Sequence, residues 1–261
     1  MFILISIRLP AQTLTNYAFT TSTGAFTSIT TPNSTTGWTG NTDDGVSGLI
    51  PIGFDFWYMG VRYTNIAAST NGWLSLGSIP IDYQYINNLT SGGSPRPVIA
   101  PLWDDLNIGA TTNVTYKTTG TAGSRIFTVQ YLNVKWNYLA AGNVCSYQVR
   151  FYEGTGKIDF VYRSDPFANS SPSASIGITA DATGPGNFLS VNNSGTSASS
   201  TNENNITTKC ATGRTYVFTP PVPIAPSSLT FPSITNTSMT LNWTDLSNNE
   251  SGLLFTVRQM G

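Results

Sequence analysis

The chain has 261 residues, 39% of them hydrophobic, with thirteen Phe, twelve Tyr and six Trp, which is enough to fill the core of one large or two modest domains. Only 10% of the residues are charged, the net charge is −1 and Lys and Arg form no cluster, so the electrostatic footprint of a nucleic-acid binder is excluded. Ser, Thr, Asn and Gly occupy the positions that Lys and Glu fill in most cytosolic proteins, a pattern that suits a secreted one.

The first segment, "MFILISIRLPAQTLTNY", has a short apolar run at residues 2–7 and a small residue, Ala11, just before Gln12. It reads as the remnant of a signal peptide over residues 1–11, although it lacks the basic n-region and the apolar run of about 7 to 15 residues that a full signal carries. A buried first strand is the alternative. No later run approaches the roughly 18 apolar residues that cross a bilayer, so a soluble or surface-attached mature chain is expected.

From there on, period-two alternation recurs and helical periodicity does not. In "IPIGFDFWYMG" one face carries Ile52, Phe54, Phe56 and Tyr58, and in "GKIDFVYRS" one face carries Ile158, Phe160 and Tyr162. Residues 145–163 read as a hairpin turning at Gly154-Thr155-Gly156, where glycine supplies the positive φ of a tight reversal. Further strands are expected at residues 63–67, 73–76, 114–118, 126–135, 174–179 and 214–219. Pro101 in "RPVIAPLWDDLN" lacks an amide donor, so an edge or terminating strand is expected there, ending just after Trp103. The overall expectation is an all-β, antiparallel sandwich, jelly-roll-like, over residues 13–219.

Residues 190–209 are almost purely polar and are expected as a mobile excursion or a polar edge hairpin. "TPPVPIAP", with four prolines, marks an extended linker over residues 220–226. Strand-like sequence resumes over residues 227–261.

The two cysteines, Cys145 and Cys210, share the parity of Tyr147 and Phe151 and of Tyr216 and Phe218, so both are expected to point inward. A bridge between them, worth about 4 kcal/mol on the chain-entropy argument, and two buried free thiols both remain open.

Two resemblances follow from the motifs. The tail, with Pro226, Leu229, "SMTLNWTD" and "NNESGLLFTV", resembles the first strands of a fibronectin type III domain. Such an immunoglobulin-like sandwich needs about 100 residues, which implies a truncated domain and a larger, multi-domain protein. The body, with "IPIGFDFWYMGVRYTNIAASTNGWLSLGS", "RPVIAPLWDDLN", "SRIFTVQYLNVKWNY" and "YQVRFYEGTGKIDFVYR", resembles the nidogen-like β domain, especially versions in large secreted surface proteins of the Bacteroidota. That resemblance implies a secreted or cell-surface, adhesive or architectural module.

The sequence offers few chemical groups. It has no histidine, so Ser-His-Asp and Cys-His mechanisms cannot be assembled. The glutamates Glu153, Glu203 and Glu250 fall in separate regions, so a non-enzymatic protein is expected. Asp43-Asp44 and Asp104-Asp105 are the acidic pairs. Asp104 and Asp105 are candidate calcium ligands, because loop carboxylates suit that ion, or else acceptors for backbone N–H groups in a turn; no other cofactor is expected. Tyr83, Tyr85, Trp136 and Tyr138 lie near loops and are candidates for stacking on sugar rings or for packing, and Trp57, Trp73 and Trp103 are assigned to packing. The expected function is a non-catalytic extracellular module for adhesion or architecture, with a protein or polysaccharide ligand. A carbohydrate-binding module attached to a hydrolase is the alternative, and a hydrolase domain itself a third.

Overall fold

A computed structural model describes residues 13–222, 227–235 and 239–244. The N-terminal run assigned to a signal remnant, most of the proline-rich linker and most of the tail lie outside them. The first strands are β1 (Ala18–Thr23), β2 (Asn33–Ser34), β3 (Thr39–Gly40), β4 (Gly45–Val46), β5 (Ile50–Tyr58), β6 (Val61–Ala68) and β7 (Leu74–Leu76). They are followed by β8 (Val98–Trp103), β9 (Leu106–Asn107), β10 (Val114–Thr119), β11 (Ile126–Trp136), β12 (Cys145–Tyr152) and β13 (Ile158–Ser164). Then come β14 (Ser175–Thr179), β15 (Phe188–Val191), β16 (Ala198–Ser199), β17 (Arg214–Thr219), β18 (Ser227–Ile234) and β19 (Met239–Thr244).

One sheet runs β1-β17-β13-β12-β11-β10-β2, with β9 paired to β11, and the other runs β16-β15-β14-β8-β7-β6-β5. The chain is an all-β antiparallel sandwich built from two meanders, β5 to β8 and β10 to β13, with β14 to β16 returning to the first of these and β17 to the second. Strand β5 shows why the sheets stack. Its burial alternates at every residue, with Ile50, Ile52, Phe54, Phe56 and Tyr58 inward, and each such side chain contributes about 1.5–3 kcal/mol on leaving water. The Phe56 ring meets Phe151 of the opposite sheet edge-on at 5.1 Å. Trp57, on the outward face, is 42% exposed and does not belong to the core. The open edge of β5 is covered by the other sheet. Thr118 Oγ1 donates to the Ile52 carbonyl at 2.6 Å and Arg125 Nη1 to the Gly53 carbonyl at 2.7 Å, which leaves less of the edge free to pair with another chain.

Strand β8 corrects the expectation for Pro101. It is an interior strand, between β14 and β7. Opposite β14 the register steps from Gly177↔Ala100 to Ser175↔Trp103, so Pro101 and Leu102 together face one residue. This bulge needs no ladder donor from the proline, and the extra residue returns Leu102 to the inner face beside Ile99. Termination after Trp103 is as expected.

The central strands of the seven-stranded sheet, β7, β8, β14 and β15, are buried on both faces. Behind it, Trp73, Leu89, Val98, Ala100, Trp103 and Phe188 form a second apolar cluster, covered by the connection between β7 and β8, residues 77–97. The polar stretch after β15 is likewise a built element. It forms the β15–β16 edge hairpin and bridges Ala174 to a buried Ile206. The described part of the tail forms a separate antiparallel pair, β18 with β19.

Candidate binding site

Asp104 closes strand β8 and is 5% exposed. Its Oδ1 accepts the Asp105 N–H at 2.9 Å and the Ser173 hydroxyl at 3.2 Å, and its Oδ2 accepts the Trp136 indole N–H and the Ser173 N–H, both at 2.7 Å. Four donors fill a carboxylate that has about four lone-pair sites. The turn reading therefore accounts for the hydrogen bonds of Asp104, and a calcium ion at this residue would have to displace them. Trp136 is corrected as a stacking platform by the same bond, because it is fully buried.

Asp105 differs. It is half-buried, and its carboxyl is pushed up to about 6, first by burial and then by the negative charges of Asp43, Asp44 and Asp104. Asp43 is raised as well, by burial and by Asp44, with Lys135 opposing. Among the described residues no group of three or more His, Cys, Asp or Glu is arranged to hold a metal.

The loops meet on Asn71, which is fully buried in the "STNGW" turn. Its Oδ1 accepts the Leu106 N–H at 2.9 Å, while Nδ2 donates to Asp44 Oδ1 at 3.2 Å and to the Tyr83 carbonyl at 3.4 Å. Gly72 next to it has φ +76°, and a Cβ there would collide with the Leu102 carbonyl. Only glycine lets the turn lie this close to β8.

Tyr83 and Tyr85 are 40% and 44% exposed. They line an open groove of about 440 Å³ together with Asp82, Gln84, Ile86, Asn88 and Gly92. Tyr138 is also exposed but is not among the groove residues. The structure thus brings together two of the four aromatics named from sequence.

The groove loop is braced from beneath. The Gln84 carbonyl accepts both buried indoles, Trp73 Nε1 at 3.2 Å and Trp103 Nε1 at 2.7 Å. Arg96, whose guanidinium is held below its ordinary value by burial, donates to the carbonyls of Gly92 at 2.6 Å, Leu89 at 3.1 Å and Ala180 at 3.1 Å. Glu203 reaches in from the polar segment and accepts from Leu89 N at 2.5 Å, from Thr90 N at 3.2 Å and Oγ1 at 2.9 Å, and from Ser175 Oγ at 2.9 Å. Sequence reasoning missed Arg96, Glu203 and Asn71 as organisers. For Arg96 and Glu203 the available signal was the rarity of charge in an otherwise neutral stretch, but Arg96 reaches Ala180 across 84 residues and Glu203 meets Leu89 across 114.

Glu153 sits at the opposite hairpin and is held down to about 2, chiefly by the Arg125 guanidinium and also by the N–H groups of Arg125 and Gly123. Glu250 lies outside the described residues. The cysteines are free thiols. Cys145 is buried and pushed up by desolvation; Cys210 is partly covered, lies outside β17 and is raised to about 11, with its Sγ 3.7 Å from the Tyr216 hydroxyl.

No curated protein and no solved structure matches the chain. A family model described as NIDO related matches residues 16–220, which contain both sheets of the sandwich and the whole of the groove. The match covers well over half of the sequence, and the chain belongs to this nidogen-related family.

Proposed function

We propose that the chain is a non-catalytic, extracellular interaction module of a larger secreted or cell-surface protein, serving adhesion or architecture. The observation that carries this reading is a contrast in how the loops use their side chains. Glu153 and Glu203 are engaged in internal hydrogen bonds, whereas Ile79, Ile81, Tyr83, Tyr85 and Ile86 stand exposed on one loop and Tyr138 and Leu139 on another. Exposed apolar side chains gathered on a braced loop are what a partner-binding surface requires. The family supports an extracellular setting, and no described helix is long and apolar enough to cross a membrane.

In this reading residues 227–261 begin a fibronectin type III domain. The half-buried and exposed residues that alternate along β19 agree with a sandwich strand, and the host is a surface protein of the Bacteroidota type. The carbohydrate-binding alternative uses the same surface and differs in the ligand.

Adsorption of the full chain to insoluble polysaccharides and to immobilised collagen, laminin and fibronectin tests the proposal. Retention on at least one support, weakened by Tyr83→Ala/Tyr85→Ala/Ile86→Ser and unaffected by Trp57→Ala, is expected. Retention on none, or retention indifferent to the loop, would overturn it.

A further inference from the structure

The polar atoms of the groove are oriented by the loop's own hydrogen bonds. The Gly93 N–H donates to Gln84 Oε1 at 2.6 Å, the Ser91 N–H to Asn88 Oδ1 at 2.9 Å and the Gln84 N–H to Asp82 Oδ1 at 3.0 Å. Each backbone donor fixes which side-chain atom turns inward. Among the described residues, Gln84 Nε2, Asn88 Nδ2 and Asp82 Oδ2 are left without protein partners, next to two exposed tyrosine rings.

We infer that this groove binds a neutral glycan segment, with Tyr83 or Tyr85 against a sugar face and Gln84 Nε2, Asn88 Nδ2 and Asp82 Oδ2 on its hydroxyls. The inference rests on the interaction-module reading and names the ligand class of that site. The chemistry selects against the other classes. A carboxylate oxygen in the groove repels an anion, and with Asp82 as the one acidic side chain in the lining a polycation would find a single charged partner there. A sugar hydroxyl both donates and accepts and so matches both kinds of group, while the C–H face of a pyranose complements an aromatic ring. The backbone is set in advance: Gln84 has φ +26° and its carbonyl holds two indoles. A site formed before the ligand arrives loses little ordering entropy on binding.

Amide-detected NMR titration of the full chain tests this with five neutral hexasaccharides: β-1,4-glucose, β-1,3-glucose, β-1,4-xylose, β-1,4-mannose and β-1,4-N-acetylglucosamine. At least one is expected to bind with Kd on the order of 0.1 mM and to shift the side-chain amides of Gln84 and Asn88. Gln84→Glu and Asn88→Asp keep the inward acceptor and lose the outward donor, so each is expected to weaken binding about two- to tenfold without changing the melting temperature. Tyr85→Ala is expected to weaken it by about three- to tenfold. Silence from all five sugars, shifts confined to other loops, or full affinity in Gln84→Glu would overturn the inference. So would tighter binding at the groove of a heparin hexasaccharide or of hexalysine. If the sugars are silent while loop-dependent retention on a matrix protein persists, the ligand class fails and the module reading stands.

Discussion

Asp104 Oδ2 accepts the indole N–H of Trp136 at 2.7 Å, with both side chains buried, across a separation of 32 residues in sequence. This bond joins the end of β8 to the end of β11 and so ties the two sheets at the end where the loops gather. It also removes two residues from the set available to ligands.

Replacing Asp104 with Ala strands buried donors on Trp136 and Ser173. The expected loss is about 2–4 kcal/mol in urea unfolding, at about 1–3 kcal/mol for each buried group left unpaired. Asp104→Asn should cost less, since one oxygen remains. Calcium or a chelator should not move the melting temperature of the native protein, as linkage would demand if the ion bound to the folded state alone.

Asp105 gives the pH dependence its sign. Its carboxyl is raised to about 6 in the folded protein, so folding favours the protonated form. The stability this contributes is fully present below the ordinary carboxylate value near 4 and is lost as pH rises through about 6. Asp105→Asn should therefore raise the melting temperature at pH 7 and flatten its change between pH 4 and 6. With part of the group facing solvent, the gain should be no more than about 1 kcal/mol. An Asn variant less stable at pH 7 would show that the acidic cluster holds the turn together.

The brace on the groove loop should be measurable by itself. Glu203→Ala removes the acceptor of Leu89 and Thr90, so hydrogen exchange at those two amides should accelerate selectively, with a loss of about 1–3 kcal/mol. The backbone amides of β12 should keep their protection.

Both thiols should alkylate slowly in the folded state at pH 8, since burial holds Cys210 near 11 and Cys145 higher still, and rapidly after unfolding. Peptide mapping without reductant, on protein exported through an oxidising compartment, tests the pairing left open by the sequence. A Cys145–Cys210 crosslink would support the bridge, and two alkylated thiols would exclude it.

The sandwich was legible wherever the outer face of a strand is exposed or carries polar side chains, as with Asp55 on β5 and the buried Ser146 and Gln148 on β12. The alternation Ile52, Phe54, Phe56, Tyr58 and the inward run Cys145, Tyr147, Val149, Phe151 mark their strands without ambiguity. Strand β8 was harder, because it is covered on both faces and its continuous apolar run carries no period. Its proline suggested an edge, and only the partner's register reveals the bulge that admits it. At the site, Tyr83 and Tyr85 were visible as exposed-loop aromatics, whereas Trp136 carried the same local signature and is buried by a partner 32 residues away. Arg96 and Glu203 could not be recognised as braces from spacing: Glu203 meets Leu89 across 114 residues.

Turnover by the purified full chain on a panel of polysaccharides and casein, followed as released reducing ends and peptides, tests whether the module is non-catalytic. A module without catalytic groups should release neither above a buffer control. Turnover that survived repurification and vanished in a single carboxylate variant, such as Asp105→Asn or Asp82→Asn, would contradict the account.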